Sequence, residues 1–173
     1  GIPIGNQHQY TIFSFDPVKT ITCIDGGIIV TNNPSEIERI HAKRLIGMNQ
    51  SASLMYGNSR AWTYDMNELG FRYHMANLHA AIGLAQLDKL NFIRSNRQKF
   101  CKKYYQNLKS LDWIIAPCGD FDSINPFLYY IRVKNNKRDE LRKHLKFLGI
   151  DTGIHWQPGH KFSFLSNSKR GDL

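Results

Sequence analysis

The order of patterns along the chain predicts an α/β fold. Three observations carry it: two short strand-like runs near the start, a long helical stretch in the middle, and a strand–helix–strand alternation in the last third. Tyr10 to Phe15 has the length and residue types of a strand, and Gly27 to Thr31 (Gly-Ile-Ile-Val-Thr) reads as a second, buried one. Asn33 followed by Pro34 predicts a helix start, with an N-cap side chain and then proline at the first helical position. Ile37, Ile40 and Leu45 continue one apolar face, and Gly47 ends it. From Met48 to Met66 no period holds. This stretch mixes Asn, Ser and Gly with Tyr56, Trp62 and Tyr64, the composition of a surface loop or of a functional one.

From Asn77 to about Leu108 the pattern is helical. Leu78, Ala81, Ile82, Ala85 and Leu87 form an apolar stripe, which Leu90, Ile93, Phe100 and Tyr104 extend more loosely. A helix of that length links two packing units or bends, so a boundary is placed inside it. Residues 1–95 then form the edge of an α/β layer, and residues 96–173 a smaller α+β unit. In the second unit a short strand is expected near Trp113 to Ala116, then a Pro117-Cys118-Gly119 turn and a strand over Phe127 to Val133. A helix over Lys137 to Phe147 ends at Gly149, and a further strand is expected near Ile154 to Gln157.

Composition narrows the function classes. The chain has 173 residues with ordinary apolar and charged fractions, and no apolar run approaches the roughly 18 residues that span a bilayer. No signal-peptide pattern opens it, and its first residue is Gly1. The expectation is a chain whose start was removed, or a segment of a longer protein. Cys23, Cys101 and Cys118 form no CxxC pair, which argues for reduced thiols in a cytoplasmic protein. The net charge of +9 requires a basic nucleic-acid-binding module to be weighed. Arg94, Arg97, Lys99, Lys102 and Lys103 sit at helical spacing, however, as do Lys137, Arg138, Arg142, Lys143 and Lys146. Such faces are ordinarily solvated, and no nucleic-acid motif accompanies them.

The chemistry concentrates in Phe13-Ser14-Phe15-Asp16-Pro17-Val18-Lys19, followed by Asp25-Gly26-Gly27. A strand delivers Ser14 at its end, a proline-containing turn follows, and Lys19 stands just beyond. A lysine amine can form an imine with an aldehyde where its site lets it deprotonate. A hydroxyl a few residues upstream suits a phosphate, and paired glycines let the backbone turn sharply or approach a ligand. On these grounds alone, a lysine after a strand reads equally as a solvated surface residue.

The run from Phe13 to Thr31, with Lys19, Ile21, Asp25-Gly26-Gly27 and Val30-Thr31, resembles the signature of the DegT/DnrJ/EryC1/StrS family of pyridoxal-phosphate-dependent nucleotide-sugar aminotransferases. Glu68-Leu69-Gly70-Phe71-Arg72-Tyr73-His74-Met75, leading into Ala80 to Leu87, is similar to a second family segment and the helix after it. His155-Trp156-Gln157-Pro158-Gly159-His160 is similar to the family's proline-containing stretch ending in histidine. These three matches stand in order and span nearly the whole chain.

The resemblance implies part of a fold type I aminotransferase: residues 1–95 as the C-terminal part of the large pyridoxal 5'-phosphate domain, and 96–173 as part of the small C-terminal domain. It implies that Lys19 joins the cofactor aldehyde as an imine and then moves a proton between cofactor and substrate carbons. Ser14 would bind the cofactor phosphate, while Asp25, Gly26 and Gly27 would shape the turn. Arg72 and His74 would reach the phosphate end of the neighbouring subunit's cofactor in a homodimer with shared active sites. Tyr73 and His160 would lie at the nucleotide-sugar substrate. Many relatives carry Asn at the position of Arg72 and Arg or Asn at that of His74, and Gly159 replaces a common leucine.

The expected reaction passes an amino group, from glutamate, to a keto group of a nucleotide-linked deoxysugar, in polysaccharide biosynthesis such as that of lipopolysaccharide O-antigen. Alternatives are a pyridoxal-phosphate-dependent sugar dehydratase or a catalytically lapsed relative. Dehydratase relatives carry histidine where this chain has Lys19, which favours transamination. In the family, the acid that pairs with the cofactor's ring nitrogen and the aromatic that stacks on the ring precede the lysine by many residues. The chain alone is therefore expected to lack activity that its parent would have. Neither nucleic acid nor membrane is expected as a partner. His8, His41, His79 and His144 have no metal-ligand spacing, and His155 with His160 would need further ligands to hold zinc, so no metal site is expected. Trp62, Tyr64, Tyr73 and Trp156 could stack on a base or sugar, or pack in a core.

Overall fold

The computed structural model describes residues 2–48, 64–117, 119–165 and 167, and the chain divides into two compact units. The first comprises residues 1–100 and 121–127, the second residues 101–120 and 128–173. Tyr56, Trp62, Cys118 and most of the expected loop after Met48 lie outside the described residues.

In the first unit, β1 (Tyr10–Ser14) and β2 (Gly27–Thr31) pair antiparallel, from Tyr10 opposite Thr31 to Ser14 opposite Gly27. β2 has the expected bounds but is not buried: Ile28 and Ile29 are exposed. Helix α1 (Pro34–Arg44) begins as its sequence dictates, with the Asn33 side chain accepting a hydrogen bond from the Ser35 amide at 3.2 Å. The chain reverses after Leu45 at Gly47, whose amide donates to the Ala42 carbonyl at 2.9 Å.

The expected long helix is two. Helix α2 (Asn77–Leu87) and helix α3 (Leu90–Leu108) are separated at Asp88 and Lys89, where the Lys89 amide turns back to the Gln86 carbonyl at 3.0 Å. That three-residue return tightens the last turn of α2 and stops its ladder. The apolar stripe keeps its spacing across the break, so the pattern alone does not reveal it. Nor does the stripe mark the inward face throughout, because Leu78 and Leu87 are exposed while Gly83 is buried.

In the second unit, β3 (Ile114–Ile115) and β4 (Arg132–Val133) form a short antiparallel pair. The strand expected over Phe127 to Val133 is thus reduced to its last two residues. The carbonyls of Pro126 and Phe127, in the first unit, accept from the Arg97 guanidinium at 3.2 and 2.9 Å, so this backbone is engaged by a side chain instead of a ladder. Helix α4 (Arg138–Phe147) is followed by Gly149 in a left-handed conformation, as expected. Where a strand is expected near Ile154 to Gln157 the chain is irregular and leads into a 3₁₀ turn, Gly159–Lys161. Proline at 158 explains part of this, since it supplies no ladder donor.

The buried apolar residues are few among those described: Cys23, Met48, Cys101, Ile114 and Phe121. Large apolar side chains such as Ile12 (75 % exposed) and Phe92 (73 %) stand at the surface. Among the described residues no helix is long and apolar enough to cross a membrane.

Candidate active site

The lysine loop is closed by its own backbone. Beyond the Ser14–Gly27 pair, the Phe15 amide donates to the Gly26 carbonyl at 2.9 Å. The Phe15 carbonyl accepts from the Cys23 amide at 3.0 Å and from the Thr22 hydroxyl at 3.2 Å. Phe15 therefore fastens both the strand end and the returning chain, and residues 16–22 form a compact excursion between them. Within it, the Lys19 amide donates to the Asp16 carbonyl at 3.0 Å with Pro17 at the second position, a turn for which proline's fixed φ is suited. The Asp16 carboxylate accepts from the Val18 amide at 3.1 Å and stiffens the same turn. Lys19 is half-buried and Ser14 exposed. The Lys19 Nζ lies 5.0 Å from the centroid of the Phe127 ring, a cation–π distance.

Two close approaches fix this loop against its surroundings. Gly83 of α2 faces Cys23, and a Cβ placed on it would stand 2.5 Å from the Cys23 Sγ. Gly26 has φ +129°, and a Cβ there would meet the Met75 Cε at 2.6 Å. The backbone conformation at Gly26 favours glycine, and the methionine methyl packs into the space a Cβ would take. Through Cys23–Gly83 and Gly26–Met75, the structure brings the Lys19 motif together with the Glu68–Met75 motif and the helix that follows.

Arg72, Tyr73 and His74 lie on an exposed segment braced against the end of α1. Leu45 and Arg72 form an antiparallel bridge, with the Ile46 amide donating to the Phe71 carbonyl at 2.9 Å and the Tyr73 amide to the Arg44 carbonyl at 2.8 Å. Glu68 adds ion pairs with Arg39 at 3.4 Å and Lys43 at 3.3 Å. The Phe71 and Tyr73 rings stack at 5.0 Å with an 8° tilt. The backbone is thus held while the three side chains face outward, and among the described residues none of them bonds to Lys19 or Ser14. Tyr64, Tyr73 and Trp156 are all exposed, so none packs in a core. His160, half-buried on the 3₁₀ turn, belongs to the second unit.

The sequence pattern reads Arg94 and Arg97 as part of a solvated face; Arg94 is exposed as expected, whereas Arg97 is half-buried. Arg94 donates to the Asp122 carbonyl at 3.1 Å, and Arg97 to the Thr20 hydroxyl at 3.1 Å as well as to the Pro126 and Phe127 carbonyls. Phe127, Thr20, Cys23 and Gly83 also acquire roles around the lysine loop that periodicity does not signal. For Gly83 a signal exists: a glycine inside an apolar helix, where it costs about 1 kcal/mol, implies a close approach.

A protein of Methanocaldococcus jannaschii, MJ1066, is 32 % identical over all of this chain, which covers 47 % of that protein. The aminotransferase TlmJ from Streptoalloteichus hindustanus superposes with a TM-score of 0.82 at 24 % identity, over 100 % of this chain and 44 % of TlmJ. The pyridoxal-phosphate form of the sugar aminotransferase Spr1654 from Streptococcus pneumoniae superposes at 0.78 with 24 % identity, over 96 % of this chain and 43 % of that one. At these identities the superpositions establish the fold, and the chain spans a little under half the length of each of these proteins. The profile of the DegT/DnrJ/EryC1/StrS aminotransferase family matches residues 1–172, and the chain belongs to that family.

Proposed function

We propose that the protein of which this chain forms part uses pyridoxal 5'-phosphate, attached through Lys19, to transfer an amino group to the keto group of a nucleotide-linked deoxysugar. Overall the donor amino acid, glutamate in this reading, becomes a 2-oxo acid and the keto sugar an amino sugar, in two half-reactions. The carrying observation is the lysine loop itself: a half-buried amine on a turn closed at Phe15, with a serine hydroxyl at the adjoining strand end. These residues fit the aldehyde and phosphate portions of the cofactor. The Gly26–Gly27 turn leaves no room beside the backbone, since a Cβ on Gly27 would stand 2.8 Å from the Phe13 carbonyl oxygen.

When bound, the cofactor supplies an electron sink for the carbon that loses its proton. Lys19 holds that proton on Nζ and returns it to the neighbouring carbon. Ser14 donates to the phosphate. Arg72 offers a fork of donors suited to a phosphate, and with His74 serves the site of a neighbouring subunit in a homodimer. Tyr73 and His160 contact the sugar nucleotide. In this reading residues 1–95 are the C-terminal part of a large cofactor domain and residues 96–173 part of a small domain, in a cytoplasmic enzyme of polysaccharide biosynthesis. The apolar side chains left at the surface support the view that further protein completes the active unit, and that the isolated chain does not transfer amino groups.

The experiment is borohydride reduction of the full-length protein with pyridoxal phosphate, followed by peptide mapping. The expected product carries the label on Lys19, and Lys19→Ala abolishes both label and amino-sugar formation. Label on another lysine would refute the assignment; a deoxy sugar without nitrogen would replace transamination by dehydration.

A further inference from the structure

Arg97 lies on α3, far in sequence from the lysine loop, yet its Nη1 is 3.1 Å from the Thr20 hydroxyl, 3.2 Å from the Pro126 carbonyl and 2.9 Å from that of Phe127. Thr20 is the residue after Lys19, and Phe127 carries the ring under the Lys19 amine. One nitrogen thus joins the backbone of the segment that bears the ring to the loop that bears the lysine. We infer that Arg97 is a positioning residue for Lys19, setting the reach of its amine by clamping Thr20 to the Phe127 segment. The inference rests on Lys19 being the cofactor lysine.

The physical reasons are threefold. A lysine side chain has several rotatable bonds and loses on the order of 2 kcal/mol of rotamer freedom when held in one place, so its reach depends on whatever restrains both ends. At one end the Asp16–Lys19 turn fixes the backbone; at the other the ring face of Phe127 attracts the ammonium. Arginine is always charged, and the two N–H groups on Nη1 are shared among the three oxygens, so one end of the side chain ties both segments. Neighbouring side chains on α3 grip the same segment without touching the loop. Arg94 bonds the Asp122 carbonyl, and Gln98 those of Asp122 and Ile124 at 3.2 and 2.8 Å. Of these three side chains, only Arg97 also reaches the lysine loop.

The test uses the full-length protein and measures the rate at which pyridoxal phosphate and borohydride modify Lys19, resolved by peptide mass spectrometry, well below the unfolding temperature. Arg97→Met is expected to slow modification at Lys19 on the order of tenfold, the scale of a small misplacement of a reacting group. Arg97→Lys should recover part of the rate. Arg94→Met, which loosens the same segment without the loop contact, should leave it within about twofold of wild type, as expected for a group outside the reacting geometry. Thr20→Val removes the loop-side acceptor and should act in the same direction as Arg97→Met, so it decides the matter if the latter does not fold. Wild-type rates at Lys19 in Thr20→Val, or in both it and Arg97→Met, overturn the inference while leaving Lys19 as the cofactor lysine. Equal slowing by Arg94→Met and Arg97→Met overturns it as well, reducing Arg97 to general support. Modification of wild type at another lysine would instead remove the premise, and with it this inference.

Discussion

The lysine loop and the stretch from His155 to Leu165 are both short, irregular and rich in motif residues, but they are held in different ways. The lysine loop is fixed by bonds to a strand end, by two glycine approaches and by an arginine from a distant helix. The later stretch is shaped by local turns: the Lys161 amide bonds the Pro158 carbonyl at 2.9 Å and the Phe162 amide the Gly159 carbonyl at 3.0 Å. Trp156 and Phe164 remain largely exposed. A loop held by distant parts of its unit carries geometry that the unit enforces, whereas turns closed within five residues set only the local path of the chain.

Glycine-to-alanine substitutions beside the lysine loop and within the later stretch test this contrast. Gly83→Ala places a methyl against the Cys23 sulfur and should destabilise the first unit by about 1–3 kcal/mol, the cost of overpacking. Denaturant titration would measure it, and adding Cys23→Ala should return a substantial part, since the offending atom is then gone. Removing Glu68's charge with Glu68→Gln ends two partly exposed ion pairs that brace the Arg72 segment, and should cost no more than about 1 kcal/mol. Gly159→Ala brings its methyl 3.8 Å from the Leu165 Cδ1, an ordinary contact, and should change stability by less than about 0.5 kcal/mol. A Gly159→Ala effect as large as that of Gly83→Ala would erase the contrast.

The smallest expected effect is that of pH on the second unit. At the start of α4, the hydrogen-bonded Arg138 guanidinium holds the Asp139 carboxyl below its ordinary range, and Lys137 does the same for Glu140. Carboxyls depressed in the folded state stabilise above their unfolded pKa, and that stability is lost as pH falls through the folded value. Helix content measured by circular dichroism should therefore decline slightly from about pH 5 downward, over the ordinary carboxylate range and below it. Asp139→Asn with Glu140→Gln should flatten that decline.

How much of this is legible in the sequence depends on how local the determinants are. β2 has the expected bounds and α1 the expected start because their signals, a Gly-Ile-Ile-Val-Thr run and an Asn-Pro pair, lie within or beside the element itself. The strand expected over Phe127 to Val133 forms only at Arg132–Val133, and at its first residue Arg97 takes the Phe127 carbonyl that the pattern reserves for a ladder. The break at Asp88 is hidden by apolar residues that keep step across it. At the candidate site, Lys19 stands out through ordered motifs and not through periodicity. Arg97 is illegible because a basic residue at helical spacing looks the same whether it faces water or a carbonyl.

The packing of Cys23 on Gly83 has one more consequence. A cysteine that is 4 % exposed, with its sulfur packed against a helix backbone, cannot react with a bulky alkylating reagent until that contact opens. Its reaction rate is then a measure of how often the lysine loop leaves its seat. The thiol is a natural timer for the opening of the loop, readable by mass spectrometry of the alkylated Cys23 peptide without any substitution in the chain.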